Sequence, residues 1–473
     1  MKTKLLLFAI LCLFTMSSIK AQMAPSIIAD SLQAILDRSL PTGVTNPGAV
    51  LGVSVPGKWS WYGASGKSIA GITNGYPAVT ANPTDKFRVG SISKTFTAVA
   101  ILKLEQAGLL STNDTIGKFL RPSLIYDTIK SSSPVSILEL LNHTSGIANS
   151  ADNMACQQNV LNNLTSYHSL EEGINCGASQ GEDFPPNFTW GYSNTNYSIL
   201  AMIIEKITGQ SYDDYITQNI ITPLNLTNTE VPDNDQISGN HLGCYWPTGG
   251  PLLDLTIIDP SVYMGWANIV STAADLNTFF TALRNGNILN PASLTKMMTI
   301  APSAWNYGLG IEFYPIYGTN YFGHSGEVAN TSGMFFLDTI TAYLPNGYYI
   351  SYNFNYQGVD ITTKIDEAVY TLLVNEISSM TAIAEQSQSL RLNKTYPNPS
   401  SSELNIEYSS SKNSNCEIAI YTSEGTLLKT IVVNSLEDTN TLKIDLENFS
   451  SGIYTYSLKD KSTICYGKFA VIK

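Results

Sequence analysis

The stretch FRVGSISKTFTAVAILKLEQAGLL, Phe87 to Leu110, places a serine at the entrance of an apolar run and a lysine three residues later. Phe96, Val99, Leu102 and their apolar neighbours predict a largely buried helix that ends near Gly108. Ser91 then stands at its amino terminus, where unpaired backbone N–H groups and the helix dipole favour a developing alkoxide or oxyanion. Lys94 falls on the same face. A lysine with its usual pKa near 10.4 is protonated at neutral pH, so acting as a base needs a depression worth roughly 4 kcal/mol, which burial and neighbouring charge can supply. A capping serine beside a snorkelling lysine is the structural alternative.

Ser-x-x-Lys is a weak string, and context selects among its occurrences. Ser17/Lys20 lies in the amino-terminal export segment, Ser409/Lys412 in a serine-rich stretch near the carboxyl end, and Ser293/Lys296 in NPASLTKMM, where Lys296 suits the solvent face of a short helix. Gly177-Ala178-Ser179-Gln180-Gly181 matches the Gly-x-Ser-x-Gly string. A nucleophile elbow needs an apolar strand before the serine and a helix after it. Here EEGINC precedes and EDFPPN follows, polar and broken by two prolines, so a surface loop is expected.

With 473 residues, 43% of them hydrophobic, the chain has room for two or three domains with a large core. Charged residues are only 14%, against roughly 25% in an average soluble protein, which argues against a disordered chain. The net charge of -12 makes nucleic acid an improbable partner. Lys2 and Lys4, the apolar run from Leu5 to Met16 and Ile19-Lys20-Ala21 read as a signal peptide over residues 1–21, cleaved before Gln22. That run is too short for a membrane span, which needs about 20 residues.

Five cysteines follow it, an odd number in an oxidising compartment. Cys156 and Cys176 bracket a polar loop and could close it, Cys416 and Cys465 could pair in the last module, and the sequence leaves both pairings open. The four histidines, His143, His168, His241 and His324, are scattered, and no Cys-x-x-Cys or His-Glu-x-x-His run occurs, so no metal is expected.

Residues 25–40 predict an amphipathic helix, and PGAVLGVSV and WSWYGASG predict a hairpin. YGLGIEFY, YFGHSGEV, SGMFFLDT and YYISYNFNY predict further strands before a helix from about Asp360 to Ile377. Strands at both ends with helical material between them point to one sheet completed by distant parts of the chain. A domain over residues 22–378, a polar linker over 379–393 and a small β-sandwich over 394–473 follow.

Three elements in order now carry a family resemblance. FRVGSISKTFTA holds Ser91 and Lys94; WGYSNTNYSILAMIIEKITG holds Tyr192, Ser193 and Asn194 ahead of a helix; YFGHSGEV supplies His324-Ser325-Gly326. Separated by 101 and 132 residues, they resemble the signature of the penicillin-recognising serine hydrolases, which include class C β-lactamases, DD-peptidases and related esterases. A second Tyr-x-Asn, Tyr396-Pro397-Asn398, shows that the set is specific and its members are not. The resemblance covers residues 25–380 and implies an α/β fold of the β-lactamase/transpeptidase type, an antiparallel sheet flanked by helices with a helical subdomain. It implies a serine hydrolase acting through an acyl-enzyme on a small peptide, ester or β-lactam, without a cofactor. By that resemblance Ser91 is the nucleophile, Lys94 and Tyr192 share the proton movements, and Asn194 orients lysine and substrate. The N–H groups of Ser91 and Glu327 form the oxyanion hole, and His324, Ser325 and Gly326 hold the polar end of the substrate. LLNHTSGI, Leu140 to Ile147, resembles a recurrent segment of mostly structural role.

The family usually has lysine where His324 stands. A histidine is mostly neutral at pH 7 and would grip a carboxylate weakly and pH-dependently. The departure ranks D-Ala-D-Ala carboxypeptidase, D-aminopeptidase or esterase above β-lactamase, with a catalytically silent penicillin-binding sensor as a different class. Beyond Lys394, YPNPSSSELNIEY, IAIYTSEGTLLKT, SGIYTYSL and GKFAVIK resemble the carboxyl-terminal sorting domains of type IX secretion. The implied partner is the secretion machinery at the outer membrane. The implied address is the surface or medium of a Gram-negative bacterium, reached through the periplasm.

Overall fold

A computed structural model gives the structure of the chain and describes residues 22–72, 77–247, 252–316, 319–328, 331–337, 347–357, 362–376, 390–422, 426–460 and 464–473. The signal-peptide reading of residues 1–21 lies outside the described residues, as does most of the expected linker. The chain divides at Leu372/Leu373 into two compact units.

The first unit is built on an eight-stranded sheet. Its spatial order is Gln22–Met23, Trp59–Ile69, Gly48–Val55, Tyr348–Phe354, Thr331–Leu337, Thr319–Glu327 and Glu312–Ile316, with Val79–Thr80 added beside Trp59–Ile69. The amino-terminal hairpin pairs antiparallel from Gly48↔Gly66 to Val55↔Trp59, and Phe354↔Ala49 joins it to the carboxyl-terminal strands. Distant segments therefore complete one sheet, as the strand pattern predicts. Gly48–Val55 is buried at every position because helices cover both faces. Helix Ser26–Ser39 buries Ile28, Leu32, Ile35 and Leu36, the apolar stripe of its sequence, and packs with helix Thr362–Thr371. Helix Ala273–Arg284 packs on the hairpin and on Tyr348–Phe354.

Helix Ser93–Gln106 is buried on every side from Ser93 to Leu102, polar residues included. A helix enclosed all round cannot show a single apolar stripe. It ends where Gly108 adopts φ +72°, the left-handed conformation that glycine takes without a Cβ penalty. The stretch expected as a polar loop between Cys156 and Cys176 instead contains two short helices, Met154–Asn162 and Leu170–Ala178, joined by the Cys156–Cys176 disulfide. Asn153 caps the first, and a Ser169/Glu172 capping box starts the second.

The second unit has two sheets around a core that includes Leu404, Ile406, Ile418, Ile420, Tyr456 and Leu458. One holds Leu390–Tyr396, Glu403–Ser410 and Asp438–Asp445; the other holds Leu427–Ser435, Ser414–Thr422, Gly452–Lys459 and Ile464–Val471. Its first strand starts at Leu390, inside the stretch read as linker: successive residues from Leu390↔Ser410 to Tyr396↔Asn405 pair antiparallel, with a register shift between Leu392 and Lys394, and Leu390 is fully buried. The Cys416–Cys465 pairing is not formed, and both thiols are free. Strand Gly452–Lys459 runs between their strands, which separates the two Cα atoms by about 10 Å, beyond the reach of roughly 7 Å for a disulfide.

Candidate active site

Ser91 follows strand Phe87–Arg88 in a single tight turn, Gly90–Ile92, that feeds helix Ser93–Gln106. Lys94, one turn on, is fully buried, and its Nζ lies 2.9 Å from Ser91 Oγ. It donates to Trp266 O at 3.2 Å and sits 4.8 Å from the centroid of the Tyr192 ring. Burial holds the Lys94 amine well below the usual ammonium range, and the Glu312 carboxylate opposes this to a lesser degree.

The turn fits tightly against strand Thr319–Glu327. Gly90 has φ +59°, and a Cβ on it would come within 2.6 Å of Glu327 N. A Cβ on Gly326 would overlap Val89 O and lie 3.1 Å from Ser91 N. Two glycines thus let the backbones of Ser91 and Glu327 approach each other over the serine.

Tyr192 precedes helix Asn194–Thr208, and the LLNHTSGI segment holds it in place. Gly191 N donates to His143 O at 3.0 Å, and Ser193 N donates to His143 Nδ1 at 3.1 Å, so both neighbours of Tyr192 are tied to one residue. The His143 ring packs 4.4 Å from the Tyr192 ring. Burial, then the nearby Lys94 and His324, push the imidazole well below its ordinary range, which keeps Nδ1 an acceptor. Asn194 also reaches this cavity, but Lys94 bonds to Ser91 and Trp266 rather than to it. Asn194 Oδ1 is buried without a hydrogen-bond partner. The expected lysine-orienting contact of Asn194 is therefore absent.

The expectation for His324 needs a larger correction. The residue is fully buried, and its ring is engaged on both nitrogens: Nδ1 donates to Ser325 O at 2.6 Å, and Nε2 accepts from Tyr307 Oη at 2.8 Å. Burial lowers its pKa, which favours this neutral tautomer. His324 does not line the cavity, so it offers no N–H to a substrate carboxylate. Ser325, Gly326 and Glu327 do line it. Sequence reasoning missed Tyr307 and Glu312. Glu312 accepts from Ser325 N at 2.8 Å and Ser325 Oγ at 3.1 Å and lines the cavity beside Ser325.

The cavity, about 730 Å³, has Ser91 in its wall, with Tyr192 and Glu312 nearby and an apolar side formed by Val160, Leu255, Ile258, Tyr263 and Trp266. The other serine candidates are elsewhere. Ser179 is exposed at the carboxyl end of helix Leu170–Ala178, the end that disfavours an anion. Lys296 pairs with Glu105 at 2.8 Å.

An antiparallel sheet between helices, with Ser-x-x-Lys at the head of a buried helix, defines the β-lactamase/transpeptidase class of fold. Residues 36–369 match the Beta-lactamase family, and the chain belongs to that family. Residues 394–473 match the secretion system C-terminal sorting domain, the tail of type IX secretion substrates. Protein flp of Staphylococcus aureus (strain NCTC 8325 / PS 47) is 38% identical over 154 residues, 32% of this chain and 29% of that protein. A putative penicillin-binding protein, PbpX of Bacillus subtilis (strain 168), is 30% identical over 234 residues, 50% of this chain and 55% of that protein. The chain thus spans less than two thirds of the length of these relatives. The crystal structure of a D-stereospecific amidohydrolase from Streptomyces sp. superposes with a TM-score of 0.62 at 26% identity, covering 72% of this chain and 98% of that one. A D-amino acid amidase from Ochrobactrum anthropi SV3 shares the fold with a TM-score of 0.62 at 22% identity, covering 75% and 99%.

Proposed function

We propose that this protein is an exported serine hydrolase that cleaves amide or ester bonds through an acyl-enzyme on Ser91. The observation that carries the reading is the buried Lys94 amine 2.9 Å from Ser91 Oγ. As a free base, Lys94 takes the Ser91 hydroxyl proton while Oγ attacks the carbonyl carbon. The oxyanion that forms is met by the N–H groups of Ser91 and Glu327, preorganised by the close approach of Gly90 and Gly326. Collapse breaks the bond to the leaving group, which receives the proton through Lys94 and Tyr192. Water then attacks the ester on Ser91, returns its proton to the base and releases the acid. The amidohydrolase and amidase neighbours support amides as substrates. With His324 closed off, a carboxylate-bearing peptide or β-lactam loses the grip expected for it, which favours amidase, aminopeptidase or esterase chemistry.

A fluorophosphonate or a labelled penicillin tests the acyl-enzyme. Mass spectrometry should place the adduct on Ser91, and Ser91→Ala should abolish it. An adduct on Ser179, or none with several such probes, would reject the assignment.

Residues 394–473 act on delivery rather than catalysis. Truncation after the first unit should leave hydrolysis by the purified enzyme almost unchanged and trap the protein inside the native host. Normal surface delivery of the truncated chain would refute this sorting role.

A further inference from the structure

The charge of the cavity is opposite to the one expected for a carboxylate-binding site. Among the described residues that line it are Glu312 and Glu327, and none is lysine, arginine or histidine. Lys94 lies beneath the surface, fully buried. His324, the one cation expected there, is fully buried and bonded on both nitrogens; its Nδ1 lies 3.7 Å from Glu312 Oε1, and burial favours the neutral ring.

Glu312, beside the buried His324 ring, is the member of this pair that reaches the cavity wall. Its residue pairs with Gly323 in the sheet, and the two hydrogen bonds from Ser325 fix its carboxylate at the strand edge. Ser325 is the neighbour of Gly326, which packs against Ser91 N. The Glu312 side chain is 14% exposed, enough for contact with a ligand and little enough to strengthen an ionic bond. Asn194 also lines the cavity, at 6% exposure, with its Oδ1 enclosed and without a donor. Leu255, Ile258, Tyr263 and Trp266 give the same cavity an apolar lining. Such a pocket suits a ligand with a cationic donor on one side and an apolar side chain on the other.

We infer that Glu312 is the specificity residue of this pocket and selects substrates with a protonated amine beside the scissile carbonyl, such as amino-acid amides and the free amino ends of peptides. The inference rests on the acyl-transfer reading above, and binding separates it from turnover. The full chain carrying Ser91→Ala is titrated calorimetrically at neutral pH with D-phenylalanine amide, N-acetyl-D-phenylalanine amide and N-acetyl-D-phenylalanine. These share a side chain and carry a positive, zero and negative charge. The cationic amide should bind at least about tenfold more tightly than the neutral one, and the anion weakest, as a charged hydrogen bond in a partly buried site implies.

Adding Glu312→Gln keeps an acceptor for Ser325 N but removes the charge. It should weaken the cationic amide by about ten- to a hundredfold and leave the neutral amide within about threefold. A residue that merely clamps Ser325 would alter both amides equally. Equal affinity for the two amides without Glu312→Gln, a loss shared equally with it, or no binding of the cationic amide at millimolar concentration overturns the inference. The ranking without Glu312→Gln stands even where that substitution impairs folding. Labelling of Ser91 together with charge-blind binding rejects the role of Glu312 and leaves acyl transfer intact. Amine-selective binding without labelling does the reverse.

Discussion

Lys94→Met should lower kcat/KM for p-nitrophenyl butyrate by about a thousandfold, within the range of general-base losses, while raising the melting temperature. The two effects have one cause. An unfolded lysine is protonated up to about pH 10.4, whereas burial holds Lys94 well below this in the fold. Between the folded and unfolded values the native state binds fewer protons than the unfolded chain, so this group's contribution to stability increases as pH rises through that window. At neutral pH the enclosed amine therefore costs stability, and methionine, similar in length and without charge, removes the cost. Activity has the same sign of pH dependence at its lower boundary: it needs the free amine and increases as pH rises through the folded value of Lys94. The Met variant should lose that ascending limb. Kinetics over a range of pH and calorimetric melting of both proteins test this. A variant with wild-type turnover removes Lys94 from the mechanism; one that loses activity and melts earlier places its role in the packing.

Gly326→Ala should reduce kcat by about a hundred- to a thousandfold, the usual loss when an oxyanion donor is displaced. The added methyl would overlap Val89 O, a backbone atom of the turn that carries Ser91 and not the end of a pliable side chain. Strand and turn must separate, which moves Glu327 N away from Ser91 N. Overpacking of this kind also costs about 1–3 kcal/mol of stability, so the kinetic comparison is made well below the melting temperature of the variant. Ser91 and Lys94 remain in the chain, and slow labelling of Ser91 should persist. Full kcat in the Ala variant would show that the two N–H groups do not form the oxyanion site.

What could be read from sequence was mostly local. Ser91 and Lys94 meet because three residues on a helix bring side chains to one face, a rule independent of the remaining chain. Short alternating runs such as LNIEY and LKIDL announce strands of the second unit for the same kind of reason. Glycine at 90 and 326 can be read as a residue type, but the need for it arises only when Val89 and Glu327, more than two hundred residues apart, are pressed together.

Tertiary structure decided the polarity of the site. The motif places His324 next to Ser325, yet its imidazole is held by Tyr307, which reaches it from another segment. Glu312 carries no motif at all; it enters the cavity because Gly323 pairs with it across two antiparallel strands. The cysteines divide in the same way, since Cys156 and Cys176 are brought together by neighbouring helices while an intervening strand keeps Cys416 from Cys465. Sequence by itself determined the serine and lysine pair and the strands of the last module, because helix spacing and strand alternation are short-range, while the family and the sorting role were legible through the resemblance of their motifs. Which charge the pocket shows to a substrate is set by strand register and burial, and those exist only once distant segments have packed.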